Sequence, residues 1–355
     1  MEARQRPYDK CADEKEMKIE NSLCVLIPLM GREKETHRIL NYFNKVNLPF
    51  KVLLADGGTR DLSGHLDTGN LNLEYFYNGP DRNIHDFMRK MHIAFNKIKS
   101  PLTIMVDNDD FISVSGMIDG IKYLAENNQF SSYRQNVMSQ DNSQPIYKST
   151  SIIDDNLFDR VFCAMENRTV SWHDITRTAY NKMLFRILDH CNVNDLQMAF
   201  SSNMFWSEIY GKSYKGFDKN YYYHISGNSL VQNKGIYTKY NSWMSDQKFD
   251  TSFCILLSAA SHALCFQSRQ SDLNIYDTKK ILGEFYLQDL AQKNNIPRSK
   301  LNLAGYIEES NKYDSICKDA VTSNDCDAPL SFNITDTYTD IIGVDEELNI
   351  VKELI

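Results

Sequence analysis

The chain has 355 residues, 42% of them hydrophobic and 24% charged, which is the composition of an ordinary soluble protein and is long enough for two domains or for one large α/β domain with an appendage. Its formal net charge of −8 excludes a general nucleic-acid binder, because phosphate neutralisation needs a basic surface, but leaves a metal-bridged nucleotide open. The eight cysteines form no CxxC pair and several sit in apolar runs such as SLCVLI and FCILL, predicting reduced, buried thiols of a cytosolic protein rather than a disulfide framework or a zinc site.

Residues 1–20 are polar and lack the apolar segment of a signal peptide, so they read as a frayed lead-in. No apolar run has the length of a membrane span, and the expected location is cytoplasmic, compatible with peripheral contact at the inner face of a membrane. LCVLIPL (23–29) predicts a buried strand, and GREKETHRILNYFNKVN places Ile39, Leu40, Tyr42 and Phe43 on one helical face. FKVLLADGG (50–58) predicts a second strand closed by a glycine turn, and LEYFYNG (73–79) a third. HDFMRKMHIAFNKIK (85–99) spaces its apolar residues as an amphipathic helix and leads directly into a fourth strand, LTIMVD. This alternation predicts an α/β fold with a largely parallel sheet, whose ligands gather at the carboxyl ends of the strands.

The rest of the chain is less regular. A helix is expected near 117–128, then an irregular polar tract to about 150, then helical periodicity in SIIDDNLFDRVFCAM and RTAYNKMLFRILDHCN with SWHDI as a strand between them. Residues 194–216 read as a helix that stops at Gly211, and NYYYHISGNSL (220–230) as an aromatic strand. From about 236 the pattern is mainly helical and ends in a polar tail, so the expected division is a lead-in (1–20), an α/β domain (21–235) and a helical C-terminal region (236–355).

The polar residues collect where the first four strands end. The first strand delivers Pro28, Gly31 and Arg32; the second Asp56, Gly57 and Gly58; the third Arg82 and Asn83; the fourth Asp107, Asn108, Asp109 and Asp110. Three carboxylates packed into four positions repel one another, and a divalent cation is the physical reason to place them together. In an extended segment alternate residues face the same way, which would put Asp107 with Asp109.

The series IPLMGRE, LLADGGTRD, YNGPDRN and TIMVDNDDF resembles the nucleotide-sugar half of inverting family 2 glycosyltransferases of the GT-A (Rossmann-like) fold. SIIDDNLFDRV, SWHDITRTAY, NDLQMAF and YYYH resemble a bacterial subgroup found in surface-polysaccharide loci, and the likeness runs in order over about residues 22–235. The sequence departs from the pattern at Gly57, where a second Asp is usual, at Asn108 inside the DxD motif, and at Asn194-Asp195, where Glu-Asp is common.

The resemblance implies an enzyme, a hexosyltransferase-type, metal-dependent inverting glycosyltransferase that uses Mn²⁺ or Mg²⁺ and moves a sugar from a nucleotide-sugar donor to a saccharide or lipid-linked saccharide acceptor. By resemblance Asp107 meets the ribose or a metal-bound water and Asp109 the metal, with Asp110 helping or capping the next helix. Asp56 would accept the imide N–H of the base, or else close its own turn. Arg82, Lys90 and Arg32 are candidate diphosphate partners, Arg32 alternatively pairing with Glu33 or Glu35. Pro28, Gly31, Gly57, Asn83 and Asn108 complete the expected donor site. Asp195 matches the position of the base, with Glu208 and then Asp189 as fallbacks. His224 is either a third metal ligand or a sheet residue, and Trp172, His173 and Trp206 either an acceptor platform or core. Rival readings are a sugar nucleotidyltransferase, a retaining transferase and a catalytically inactive nucleotide-sugar-binding assembly subunit; an oligomer is compatible with all of them.

Overall fold

The computed structural model describes residues 15–139, 145–147, 150–167, 172–193, 206–216, 221–224, 251–268, 273–293, 297, 302–322, 332–336 and 342–354. After a short strand β1 (Lys15–Met17), the expected elements follow in order: β2 (Leu23–Leu29), α1 (Glu33–Lys45), β3 (Lys51–Asp56), β4 (Leu73–Tyr77), α2 (Ile84–Lys97) and β5 (Leu102–Met105). Residues 111–147, expected to hold one helix and then irregular chain, instead form β6 (Phe111–Ile112), α3 (Val114–Glu126), β7 (Phe130–Arg134), β8 (Asn136–Ser139) and β9 (Pro145–Tyr147).

Helix α4 (Leu157–Asn167) starts later than its periodicity suggested. The side chain of Asn156 accepts the backbone N–H of Phe158 at 2.9 Å, while Ile152 is drawn into a bridge with Ser213. The strand expected near SWHDI is β10 (Ile175–Arg177), and α5 (Thr178–His190) follows it without a loop. The chain continues through a helical turn at 206–210, β11 (Lys212–Lys215), β12 (Tyr221–His224), α6 (Thr251–Gln267), α7 (Ile275–Lys293), α8 (Leu303–Ser310), α9 (Asp314–Thr322), β13 (Phe332–Ile334) and α10 (Val344–Leu354).

Seven strands form the main sheet in the order β11-β7-β10-β5-β2-β3-β4, parallel throughout except for β10, which runs antiparallel to both neighbours. This is the mixed α/β architecture with a largely parallel sheet that the alternation of strands and helices implied. Strand alternation divides the core in two: Cys24 and Leu26 of β2 face a layer containing α2, α5 and α6, while Val25, Ile27 and Leu29 face α1 and α3. Helix α6 is apolar nearly all round and buried, as a helix enclosed by others must be.

The C-terminal helices share these cores. Helix α9 packs on α5 and α6, α10 lies against α1, and β13 pairs in parallel with β1, tying the polar lead-in to the polar tail. The boundary expected near 235 lies outside the described residues. Among the described residues, no helix is long and apolar enough to cross a membrane.

Candidate functional site

At the carboxyl end of β5 the chain stops being extended. Residues 107–110 close a turn in which the Asp110 N–H donates to the Asp107 carbonyl at 3.2 Å. The turn replaces the alternation of a strand by an i, i+3 relationship and so gathers Asp107 with Asp110, not with Asp109. His173, just before the antiparallel β10, completes the group: one ligand atom from each of Asp107, Asp110 and His173 lies within 4.8 Å of the others. His173 Nδ1 lies 3.0 Å from the Met105 carbonyl, which can only accept, so Nδ1 donates there and Nε2 is the nitrogen that could ligate a metal. Two carboxylates and an imidazole are a donor set that suits Mn²⁺ and tolerates Mg²⁺.

Asp109 turns the other way and pairs with Arg32. Arg32 sits at φ 60°, left-handed backbone that a side chain adopts only at a cost, following Gly31 at φ 79°. The bend aims the guanidinium across the start of α1 at the turn after β5. Asn108 joins the same two loops: its amide donates to Thr36 Oγ1 at 3.0 Å and lies 3.3 Å from the Arg32 carbonyl. These partners need a donor, which explains an amide inside the DxD motif where a fourth carboxylate in the run 107–110 would repel them.

Asp56 is fully buried, and both of its oxygens have protein partners. Oδ1 accepts the Gly58 N–H at 2.7 Å and Oδ2 the Tyr75 hydroxyl at 2.6 Å. The carboxylate thus closes its own glycine turn, the local alternative to an open base-recognition group. Gly57, the second departure, is also explained, because a Cβ there would overlap the Asp81 carboxylate. Asp81 is buried against Lys90, whose ammonium also donates to the Leu29 carbonyl at 2.9 Å. Burial pushes the Asp81 carboxyl up and the Lys90 ammonium down, each resisted by the other's charge.

Lys90 therefore lies beneath the rim as a prop, with no exposed surface to offer a diphosphate. Arg82 does stand at the rim, largely exposed and paired with Asp86 at 3.0 Å, while Asn83 caps α2 by accepting the Asp86 N–H at 2.9 Å. Pro28 is half-buried near the end of β2, beyond the last pairing with β5.

On the other side of the β5 turn, Arg134 at the end of β7 is enclosed with Asp174, at 3.2 Å, and Glu208. Burial raises the Glu208 carboxyl, with Arg134 opposing, and pushes Asp174 up to about 7. Glu208 is completely buried and also accepts from Ser213, so it cannot meet an acceptor hydroxyl as the fallback base. Asp189 is engaged by histidines between α2 and α5. Asp195 lies outside the described residues.

The backbone of His224 lies beside the turn. Tyr223 pairs with Phe111 in antiparallel register, which continued by one residue sets position 224 opposite position 110. Trp172 stacks on Phe87 at 6.5 Å, and Trp206 donates to the Tyr180 carbonyl at 3.1 Å; both are core rather than platform. Sequence reasoning thus missed Asp81 altogether and gave His173 an acceptor role. Their only local signals were a carboxylate in the third rim loop and a histidine followed by Asp174.

No protein-family model and no curated protein matches the chain. Among solved structures it is similar to S. aureus TarS 1-349 in complex with UDP-GlcNAc, at 15% identity over 86% of this chain and 91% of that one, with a TM-score of 0.48. The same fragment in complex with UDP is 16% identical over the same shares, with a TM-score of 0.45.

Proposed function

We propose that this protein is a metal-dependent, inverting glycosyltransferase that moves a sugar from a nucleotide-sugar donor to a saccharide or lipid-linked saccharide acceptor, in surface polysaccharide biosynthesis. The observation that carries this reading is the convergence of Asp107, Asp110 and His173 at the carboxyl end of the central strand of a Rossmann-like sheet. In that position the three side chains would hold Mn²⁺ or Mg²⁺, which when bound neutralises charge on a departing diphosphate.

The chain's own residues would do the rest. Arg82, exposed in the third rim loop, would pair with diphosphate oxygens, and Arg32, paired with Asp109, would steady the turn that presents Asp107 and Asp110. Asp56 and Tyr75 would form the floor beneath the nucleobase. Asp195 would take the proton of the acceptor hydroxyl as that hydroxyl attacks the anomeric carbon opposite the diphosphate, so the configuration inverts without a covalent enzyme intermediate.

The test is a thermal-shift screen of UDP, GDP, CMP and dTDP with Mn²⁺ or Mg²⁺, comparing the native chain with Asp107→Asn and Asp110→Asn. The expected result is a metal-dependent rise in Tm for one nucleotide that both variants lose, followed by loss of sugar transfer in Asp195→Asn with nucleotide binding kept. No shift with any nucleotide and metal would refute the donor-site reading. Binding without transfer would favour the assembly subunit.

A further inference from the structure

A second cluster of metal-ligating side chains lies outside the proposed donor site. It is built where α2 packs against α5. Asp189, one residue before the end of α5, faces two histidines of α2 spaced i, i+7. His92 Nδ1 lies 2.6 Å from Asp189 Oδ2, and His85 Nε2 lies 3.4 Å from Oδ1 and 3.2 Å from the Asp189 backbone carbonyl. His190 closes the group, its ring edge-on to that of His92 with centroids 5.2 Å apart. One ligand atom from each of His92, Asp189 and His190 lies within 4.8 Å of the other two.

A polar latch between two helices needs one histidine on one carboxylate. Here both carboxylate oxygens are approached by imidazole, and a third imidazole stands beside them. Unprotonated, His92 and His190 can each turn a nitrogen lone pair toward a cation at the Asp189 carboxylate, while His85, against a carbonyl that can only accept, donates from Nε2. Two nitrogens and one carboxylate oxygen are the ligand set of Zn²⁺ and its first-row neighbours rather than of Mg²⁺, which favours sets dominated by oxygen.

We propose that His92, Asp189 and His190 form a transition-metal site, Zn²⁺ by preference, distinct from the site at Asp107, Asp110 and His173. On binding, the cation takes the place of the proton now shared by His92 Nδ1 and Asp189 Oδ2, that proton passes to solvent, and His190 supplies the third ligand. Ligands about 2.0–2.1 Å from a tetrahedral ion stand about 3.3 Å apart, so the His92–Asp189 pair opens slightly while His190 draws in. His85, bonded to the Asp189 carbonyl, keeps the carboxylate oriented. The ion would staple α2 past its midpoint, at His92, to the end of α5, which leads to the segment carrying Asp195.

The experiment is equilibrium dialysis of the full chain against Zn²⁺ with metal analysis, supported by visible absorption of the Co²⁺-loaded protein. The native chain is compared with His190→Gln, a change at an exposed position that leaves the fold intact, with His92→Gln, and with Asp107→Asn. One tight Zn²⁺ equivalent should survive Asp107→Asn, and its affinity should fall at least about tenfold in His190→Gln and in His92→Gln. The Co²⁺ bands of a low-coordinate nitrogen and oxygen site should vanish in the same two variants. Zn²⁺ binding that is unchanged in His190→Gln, or lost only in Asp107→Asn, overturns the proposal, as does a native chain that takes up no Zn²⁺. Because the readout is metal content, the result does not depend on whether the chain transfers sugars.

Discussion

Replacing Lys90 by Met separates its two readings, prop or diphosphate ligand. The ammonium is fully buried, pairs with an Asp81 side chain that is 3% exposed, and also donates to the Leu29 carbonyl. Methionine fills a similar volume but leaves the Asp81 carboxylate facing apolar surroundings, and breaking a buried pair from one side costs about 3–5 kcal/mol. At about 2.1 cal/mol/K per residue, 355 residues give an unfolding entropy of about 0.75 kcal/mol/K, so ~4 kcal/mol lowers Tm by about 5 °C. Burial already raises the Asp81 carboxyl, and losing Lys90 raises it further. A carboxyl whose folded pKa exceeds its unfolded value binds more protons in the native state, so stability falls as pH rises above the ordinary carboxylate range. The Lys90→Met deficit should therefore be larger at pH 8 than at pH 5, and Lys90→Met combined with Asp81→Leu should recover most of it. Thermal melts at both pH values supply the comparison. A loss of less than about 1 °C, or a double variant less stable than the single one, would refute the prop. Weakened nucleotide binding at unchanged Tm would restore Lys90 to the diphosphate.

Two further substitutions probe the loops around the candidate metal residues. Glu347 of α10 is buried and accepts the backbone N–H groups of Val114 and Ser115 at 3.1 and 3.3 Å, and burial pushes its carboxyl up to about 7. Since the native state holds that proton more tightly than the unfolded chain, its contribution is complete near pH 4.5 and declines by up to about 3 kcal/mol as pH rises to about 7. Urea melts should show a shallower decline for Glu347→Gln over that window; parallel curves would contradict this. Asn108→Asp removes the donor to Thr36 and adds charge beside Asp107, Asp109 and Asp110, so without divalent cations it should cost about 1–3 kcal/mol, and unchanged denaturant stability would disprove the amide's bridging role.

The four strands that carry the rim were legible because each is a continuous apolar run between turn residues, and burial on both faces selects for that pattern. β7 was not legible, since its sequence FSSYR is polar yet wholly buried. Its polarity is answered only from far along the chain: Ser132 donates to Ser213 at 2.7 Å, and Arg134 meets Asp174 and Glu208. A hydrophobic-period argument cannot register polar groups whose partners arrive by tertiary folding. The same limit hid the pairing of β1 with β13, between the two ends of the chain. At the candidate site, the reading of the motif assumed extended backbone through Asp109. The strand ends at Met105, and the turn that follows decides which carboxylates meet.

The buried charges have a shared placement. Lys90 with Asp81 lies beneath the ends of β2, β3 and β4, and Arg134 with Asp174 and Glu208 lies beneath the end of β7 and the start of β10, so the two groups flank the turn that follows β5. Buried ion pairs are poor sources of stability, because desolvation offsets most of their attraction. They are strongly directional, however, and both groups engage the backbone or neighbour of a rim residue: Lys90 holds the Leu29 carbonyl two residues before Gly31, and Asp174 adjoins His173. A hydrophobic filler could match their volume but could not fix the height of a loop or the rotation of an imidazole. The turn between them brings together two carboxylates and an imidazole, and the left-handed Arg32 reaches it from α1. The main opposing costs of this region, desolvation and backbone strain, thus fall around one short segment, where a site preorganised for a cation and a diphosphate would require them.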